Sequence, residues 1–138
     1  MDFPFGKKAI IKNRNAEVAE IENAMYRADA AMYQNGIVAV GDISNQTVSR
    51  KIKINSSIYY HTFIEAMGFN PERAEAIMEH ARLTKAHFDP LPASIVPHAP
   101  YSVSAELFNL IKREAEKDNN ILSVHNQESS AEDAFFRD

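Results

Sequence analysis

His125 and Glu128 are the two residues whose types and spacing best suit catalysis, since they follow a short apolar run and stand three positions apart. An imidazole at the end of a strand can offer one ring nitrogen to a metal ion. A carboxylate three residues later can lie beside a metal-activated water and transfer its protons. The same spacing also suits a histidine that is hydrogen-bonded at a strand end and a glutamate that caps the next helix.

Two other predicted strands carry candidate binding residues at their ends, His98 and Glu65. Pro97 and Pro100 restrict the backbone around His98 and would hold its imidazole at a set angle. The alternative is a histidine that only occupies a rigid loop. Glu65 is a candidate for substrate binding, whereas most such carboxylates are solvated or paired with a neighbour. Asp42, after the first predicted strand, is better explained by turn formation.

Helices and strands alternate in the sequence that must position these side chains. Apolar residues spaced by three and four predict helices, and short β-branched apolar runs predict strands that are buried on both faces. The predicted helices cover 16–34, 71–88, 105–118 and a stretch from 130, and the predicted strands cover 37–41, 57–64, 93–98 and 121–125. Asn70, Ser104 and Ser129 are the expected amino-terminal caps of the later three helices.

This alternation is typical of an α/β fold with parallel strands, in which functional side chains gather at the carboxyl ends of the strands. A complete (β/α)8 TIM-type barrel takes about 250 residues, so that 138 residues amount to about half of one. We expect a single partial-barrel domain over 1–138, with an amino-terminal helix, four βα units and a truncated last helix. The sequence is therefore expected to be an internal segment of a larger barrel.

Composition limits the classes of protein to which the chain can belong. Hydrophobic residues make up 45% of the 138, too many for a disordered chain, and the net charge of −4 disfavours phosphate-driven nucleic-acid binding. The absence of cysteine excludes disulfide scaffolds, thiolate zinc sites and iron–sulfur clusters. The sequence has no apolar run long enough to cross a bilayer and no signal-peptide pattern. We expect a small-molecule substrate, no nucleic-acid or membrane partner, and a cytoplasmic location.

Two segments carry a resemblance to a known family. Residues 97–107 read PHAPYSVSAEL and resemble the P-H-A-P-Y-(T/S)-x-S-x-E-L segment of the amidohydrolase superfamily. The branch is that of the guanine and S-adenosylhomocysteine deaminases and the triazine chlorohydrolases. Residues 122–129 (LSVHNQES) resemble its next strand, with the pattern H-x-x-E-(T/S), and residues 36–42 are similar, more loosely, to its second strand.

The resemblance implies a metal-dependent hydrolase with a (β/α)8 barrel. In it His125 would be a metal ligand, Glu128 the acid/base that moves protons, and His98 a contact to the substrate. The reaction would be hydrolytic deamination or dechlorination, at a C–N or C–Cl bond of a heterocyclic or amide-like substrate, by a metal-activated water. One divalent metal ion is expected in the complete enzyme, with zinc favoured and iron or nickel also compatible with such ligands.

The sequence departs from the family pattern in ways that affect the chain on its own. It contains no H-x-H motif, and the later histidine and final aspartate of the family are also missing. A metal site normally needs three protein ligands, and His125 is the one convincing candidate here. We therefore expect the chain alone to be inactive and poor in metal, and to form a homo-oligomer through the exposed surfaces of a half-barrel. The alternatives are a non-catalytic α/β binding or scaffold protein and a self-contained hydrolytic domain of another class.

Overall fold

Three parallel strands alternate with helices along residues 18–137, which are the residues that the computed structural model describes. The longer helices are α1 (Val18–Gln34), α3 (Ala74–His87) and α4 (Ala105–Asp118), and the short ones are α2 (Arg50–Lys53) and α5 (Ser130–Phe135). The strands are β1 (Ala39–Ile43), β2 (Tyr59–Ala66) and β3 (Ala93–Pro97). The predicted start of the first helix at residue 16 lies outside the described residues.

The strands form one parallel sheet in the order β1-β2-β3. Asp42 of β1 is paired in register with Thr62 of β2, and Glu65 of β2 with Val96 of β3. Because all three strands run in the same direction, their carboxyl ends lie along one edge of the sheet. The predicted α/β class with alternating βα units and parallel strands is thus confirmed.

The predicted fourth strand, over 121–125, is not formed in the described part of the chain. Its one backbone hydrogen bond to the β3 side joins the amide of His125 to the carbonyl of His98, at 2.9 Å. Ile121 and Val124 are 60% and 48% exposed. An apolar run predicts a strand that is buried on both faces, but this segment is largely exposed and makes a single backbone hydrogen bond to the β3 side, at its carboxyl end.

Short polar residues begin the helices where the sequence predicts. The side chains of Asn70, Ser104 and Ser129 each accept a backbone N–H from the first turn that follows. The turn after Asn70 is a 3-10 turn (Pro71–Arg73), so that α3 begins a few residues later than predicted. Gly36, with φ of 85°, ends α1 in the left-handed conformation that glycine tolerates best.

The two faces of the sheet differ in what covers them. After the exposed Tyr59, side chains along β2 alternate between buried and half-buried. The buried Ile64 and Ala66 pack in the core with α3 and α4, whereas Tyr60 and Thr62 form hydrogen bonds with residues of α1 and α2. The core on that side consists of Ile64, Ala66, Ala74, Met78, Ala81, Phe88, Ile95, Val103, Leu107 and Ile111. His61, Phe63 and Glu65 point to the opposite face. Among residues 18–137 no helix has both the length and the apolar character that a membrane crossing requires.

Leu107 holds α4 against this core and is fully buried. We expect Leu107→Ala to lower the free energy of unfolding by about 2–5 kcal/mol, because the change removes buried methyl groups and leaves a cavity. Urea unfolding followed by circular dichroism measures the effect. Leu83→Ala is the matched control, since Leu83 of α3 is 55% exposed and should change stability by less than about 0.5 kcal/mol. Equal losses in the two variants would contradict this assignment of the core.

Candidate active site at the carboxyl ends of the strands

Glu65, His98 and His125 converge at the edge of the sheet where the strands end. Each offers one ligand atom, and these atoms all lie within 4.8 Å of one another. Glu65 stands near the end of β2, His98 directly follows β3, and His125 lies in the extended segment beside it. Taken as whole residues, all three are of intermediate burial. The structure thus brings together three of the four residues that the sequence singled out.

The closest contact in the group joins His125 to Glu65. The Nε2 atom of His125 lies 2.9 Å from Oε1 of Glu65. The Glu65 side chain is 8% exposed and that of His125 is 40% exposed, so the pair stands at the boundary between protein and solvent. The other carboxylate oxygen of Glu65, Oε2, accepts a hydrogen bond from the Asn45 side chain at 3.2 Å. Both oxygens of the carboxylate therefore have a partner.

His98 is oriented by the 3-10 turn that follows it (Pro100–Ser102). Its Nδ1 atom lies 2.8 Å from Oγ of Ser102, and that hydroxyl donates to the carbonyl of Ala99 at 3.0 Å. Because the hydroxyl hydrogen is used in this way, its oxygen is free to accept from Nδ1–H. The arrangement favours the tautomer whose unprotonated nitrogen is Nε2, the form that can bind a metal ion or accept a hydrogen bond.

Glu128 is exposed and is not a member of this cluster. Its Oε2 accepts a hydrogen bond of 2.9 Å from the Tyr101 hydroxyl, and this bond raises the pKa of Tyr101. The Tyr101 ring meets the His98 ring edge-on, with 6.1 Å between centroids. Tyr101 therefore connects Glu128 to the group formed by His98 and its neighbours.

Glu132 shapes the loop that carries Glu128. Its buried carboxylate accepts the backbone N–H groups of Gln127 and Glu128, at 3.2 and 2.8 Å. Gln127 adopts the left-handed conformation with φ of 57°. The sequence predicts a capping box between Ser129 and Glu132, and the Ser129 half of it is present. The Glu132 carboxylate binds the amides of the two residues that precede Ser129 instead, which the capping pattern does not reveal.

Two further polar residues of the strands lie away from the cluster. Asp42 pairs with Lys53 at 2.6 Å, on the face of the sheet that the helices cover. The Lys53 side chain is 3% exposed, and burial lowers its pKa although the Asp42 carboxylate acts against this. His61 lies 2.7 Å from the Ser94 hydroxyl, and burial lowers its pKa as well. The contacts of Asp42 with Lys53 and of His61 with Ser94 give both residues a structural role, without a part in the cluster.

Two imidazoles and one carboxylate form a donor set that is typical of catalytic zinc sites, which keep a further position open for water or substrate. In residues 18–137 the cluster of Glu65, His98 and His125 is the one group of at least three such donors close enough to share an ion. Nε2 of His98 and the neighbouring side chains of Glu65 and His125 could serve as ligands to one ion. The residues present therefore suit a divalent metal.

The chain is similar to deaminases from Helicobacter pylori. It is 26% identical over 127 residues to an adenosine deaminase, covering 90% of this chain and 31% of that protein. An aminofutalosine deaminase structure superposes with a TM-score of 0.68 and 28% identity, over 79% of this chain and 28% of that one. The same enzyme in complex with methylthio-coformycin gives 0.67 and 26%, over 88% and 31%. No family model matches the sequence.

These relatives are deaminases. Their likeness, together with the parallel sheet, confirms the predicted fold as part of a TIM-type barrel. The chain spans between 28% and 31% of the length of these relatives. The finer assignment to the branch of guanine deaminases and chlorohydrolases stays a prediction.

Proposed function

We propose that this chain is part of a metal-dependent deaminase that replaces an amino group on a purine nucleoside or a related heterocycle by hydrolysis. The observation that carries the proposal is the convergence of Glu65, His98 and His125 at the strand ends of a chain similar to adenosine and aminofutalosine deaminases. That similarity favours deamination over dechlorination. Adenosine and aminofutalosine are the first substrates to test.

A divalent ion, with zinc favoured, would be held by His125 in the complete enzyme. Glu65 and His98 are the further donors that this chain offers, either to the ion or to the substrate. When bound, such an ion activates water for attack on a carbon that bears an amino group. Glu65 fixes the imidazole of His125 through the 2.9 Å contact, and the Ser102 hydroxyl orients the imidazole of His98 through its 2.8 Å contact with Nδ1.

Glu128 supplies the proton transfers in this proposal. Its carboxylate accepts a proton from the attacking water and delivers it to the amino group, which leaves as ammonia. The second proton of that water passes to the adjacent ring nitrogen as the ring carbon becomes a carbonyl carbon. The Tyr101 hydroxyl holds Oε2 of Glu128, and Glu132 holds the backbone amide of the same residue. In the proposal the other oxygen of the Glu128 carboxylate, Oε1, carries out the proton transfers.

Ammonia release from adenosine and from aminofutalosine tests the proposal, measured on the longer protein and on the 138-residue chain. We expect the longer protein to release ammonia, to lose this activity with 1,10-phenanthroline and to regain it with zinc, while the chain alone is inactive and holds substoichiometric zinc. A longer protein without metal or activity would support the non-catalytic scaffold instead. Turnover by the chain alone would point to a self-contained hydrolytic domain.

A further inference from the structure

Asn45 contacts Glu65 at two points, although it precedes it by 20 residues. Its Oδ1 accepts the backbone N–H of Glu65 at 2.8 Å, and its Nδ2 donates to Oε2 of the Glu65 carboxylate at 3.2 Å. The remaining oxygen, Oε1, lies 2.9 Å from Nε2 of His125. With one oxygen held by Asn45, rotation of the carboxylate is restricted and Oε1 is kept toward His125.

The buried Lys53 holds the loop that carries Asn45 through its bond to the neighbouring Ser44. The Lys53 ammonium donates to three acceptors, which are Asp42 Oδ2 at 2.6 Å, Ser44 Oγ at 3.1 Å and Thr62 Oγ1 at 2.9 Å. It also lies over the Phe88 ring, 4.9 Å from the centroid. The Ser44 amide donates to the carbonyl of Phe63 at 3.0 Å. Asn45 therefore stands on a rigid support, directly beside β2.

We propose that Asn45 is a positioning residue that fixes the Glu65 carboxylate against His125. An amide suits this position, because its oxygen accepts from an N–H while its NH2 group donates to a carboxylate. An aspartate could still accept from the N–H, but its charge would stand beside Oε2 and repel it. The inference rests on the proposed function only in taking Glu65 and His125 as parts of the deaminase site.

Asn45→Asp is the decisive variant, and Asn55→Asp is its matched control. Asn55 is exposed and its side-chain amide donates to the carbonyl of Lys51 at 2.7 Å, away from the cluster. The 15N signal of the His125 Nε2 atom, recorded on the labelled 138-residue chain at fixed pH, reports its contact with Glu65. We expect Asn45→Asp to shift this signal and Asn55→Asp to leave it in place.

Zinc affinity of the longer protein, measured by competition with a chromophoric chelator, gives the second readout. We expect Asn45→Asp to weaken zinc binding by about tenfold or more, since loss of a partner that orients a ligand costs about 10–100-fold in metal affinity. Asn45→Ala, which removes the clamp without adding charge, decides the matter if Asn45→Asp does not fold.

An unchanged His125 signal in the folded variants would overturn the proposal. Unfolding of both Asn45 variants, with Asn55→Asp still folded, would also overturn it in favour of a purely structural role. Absence of deaminase activity in the unaltered longer protein would refute the proposed function, whereas the spectrum of the 138-residue chain would still decide the role of Asn45.

Discussion

In the deaminase that we propose, replacement of His125 by alanine is expected to lower kcat by about a thousandfold and to remove the bound metal. The change deletes the imidazole that we propose as a ligand, and a bound ion contributes several kcal/mol to transition-state stabilisation. About 1.4 kcal/mol corresponds to a tenfold change in rate, so a thousandfold loss requires about 4 kcal/mol. The variant also leaves Glu65, whose side chain is 8% exposed, without the partner of its Oε1.

Metal content by mass spectrometry and initial rates of ammonia release measure the two effects together. His87→Ala is the matched control, because His87 is an exposed histidine of α3 whose Nδ1 lies 2.7 Å from the carbonyl oxygen of Leu83, away from the cluster. We expect His87→Ala to keep both metal and activity. A His125→Ala protein that retains its metal would exclude this residue as an essential ligand.

The hydrophobic pattern of the sequence predicts most of the helices and strands, but it does not predict which segments pair with a neighbouring strand. The apolar runs before Asp42, Glu65 and His98 each lie on a strand, whereas the run before His125 does not. β1 begins at Ala39, two residues later than predicted, because its partner β2 begins at Tyr59 and the two are paired from there. Pairing depends on the neighbouring strand, and a local pattern carries no information about it.

The rule that polar residues at parallel strand ends meet explains why Glu65, His98 and His125 were found from the sequence. Asn45 and Glu132 were missed as site residues, because a lone amide or a helix-capping glutamate has no spacing that marks its target. The contact of Asn45 with Glu65 depends on the register between β1 and β2.

Association between copies of the chain stays a prediction. On the sheet face opposite the helices, Ile43 and Tyr59 are 43% and 58% exposed. Measuring the oligomeric state of the chain in solution tests whether a second copy covers that face.

Glu128→Gln is expected to lower kcat by about a thousandfold while the metal stays bound. General acid–base catalysis contributes about 10²–10⁴-fold, and the amide cannot accept and return a proton in the same way. Glutamine matches the size of glutamate, and its side-chain oxygen can still accept from the Tyr101 hydroxyl. The backbone contacts of the loop with Glu132 do not involve the altered group. The Michaelis constant should therefore change little.

Glu116→Gln is the matched control, since Glu116 is exposed on α4 and lies 3.8 Å from the Lys112 ammonium of the same helix. Metal content separates the two proposed roles: His125→Ala should lose metal and activity together, whereas Glu128→Gln should lose activity alone. A Glu128→Gln protein with unchanged kcat would refute the acid/base assignment and would return Glu128 to the helix-capping role that its sequence position also allows. Loss of metal in this variant would instead make Glu128 part of the metal site, which the separation of its side chain from the three-residue cluster argues against.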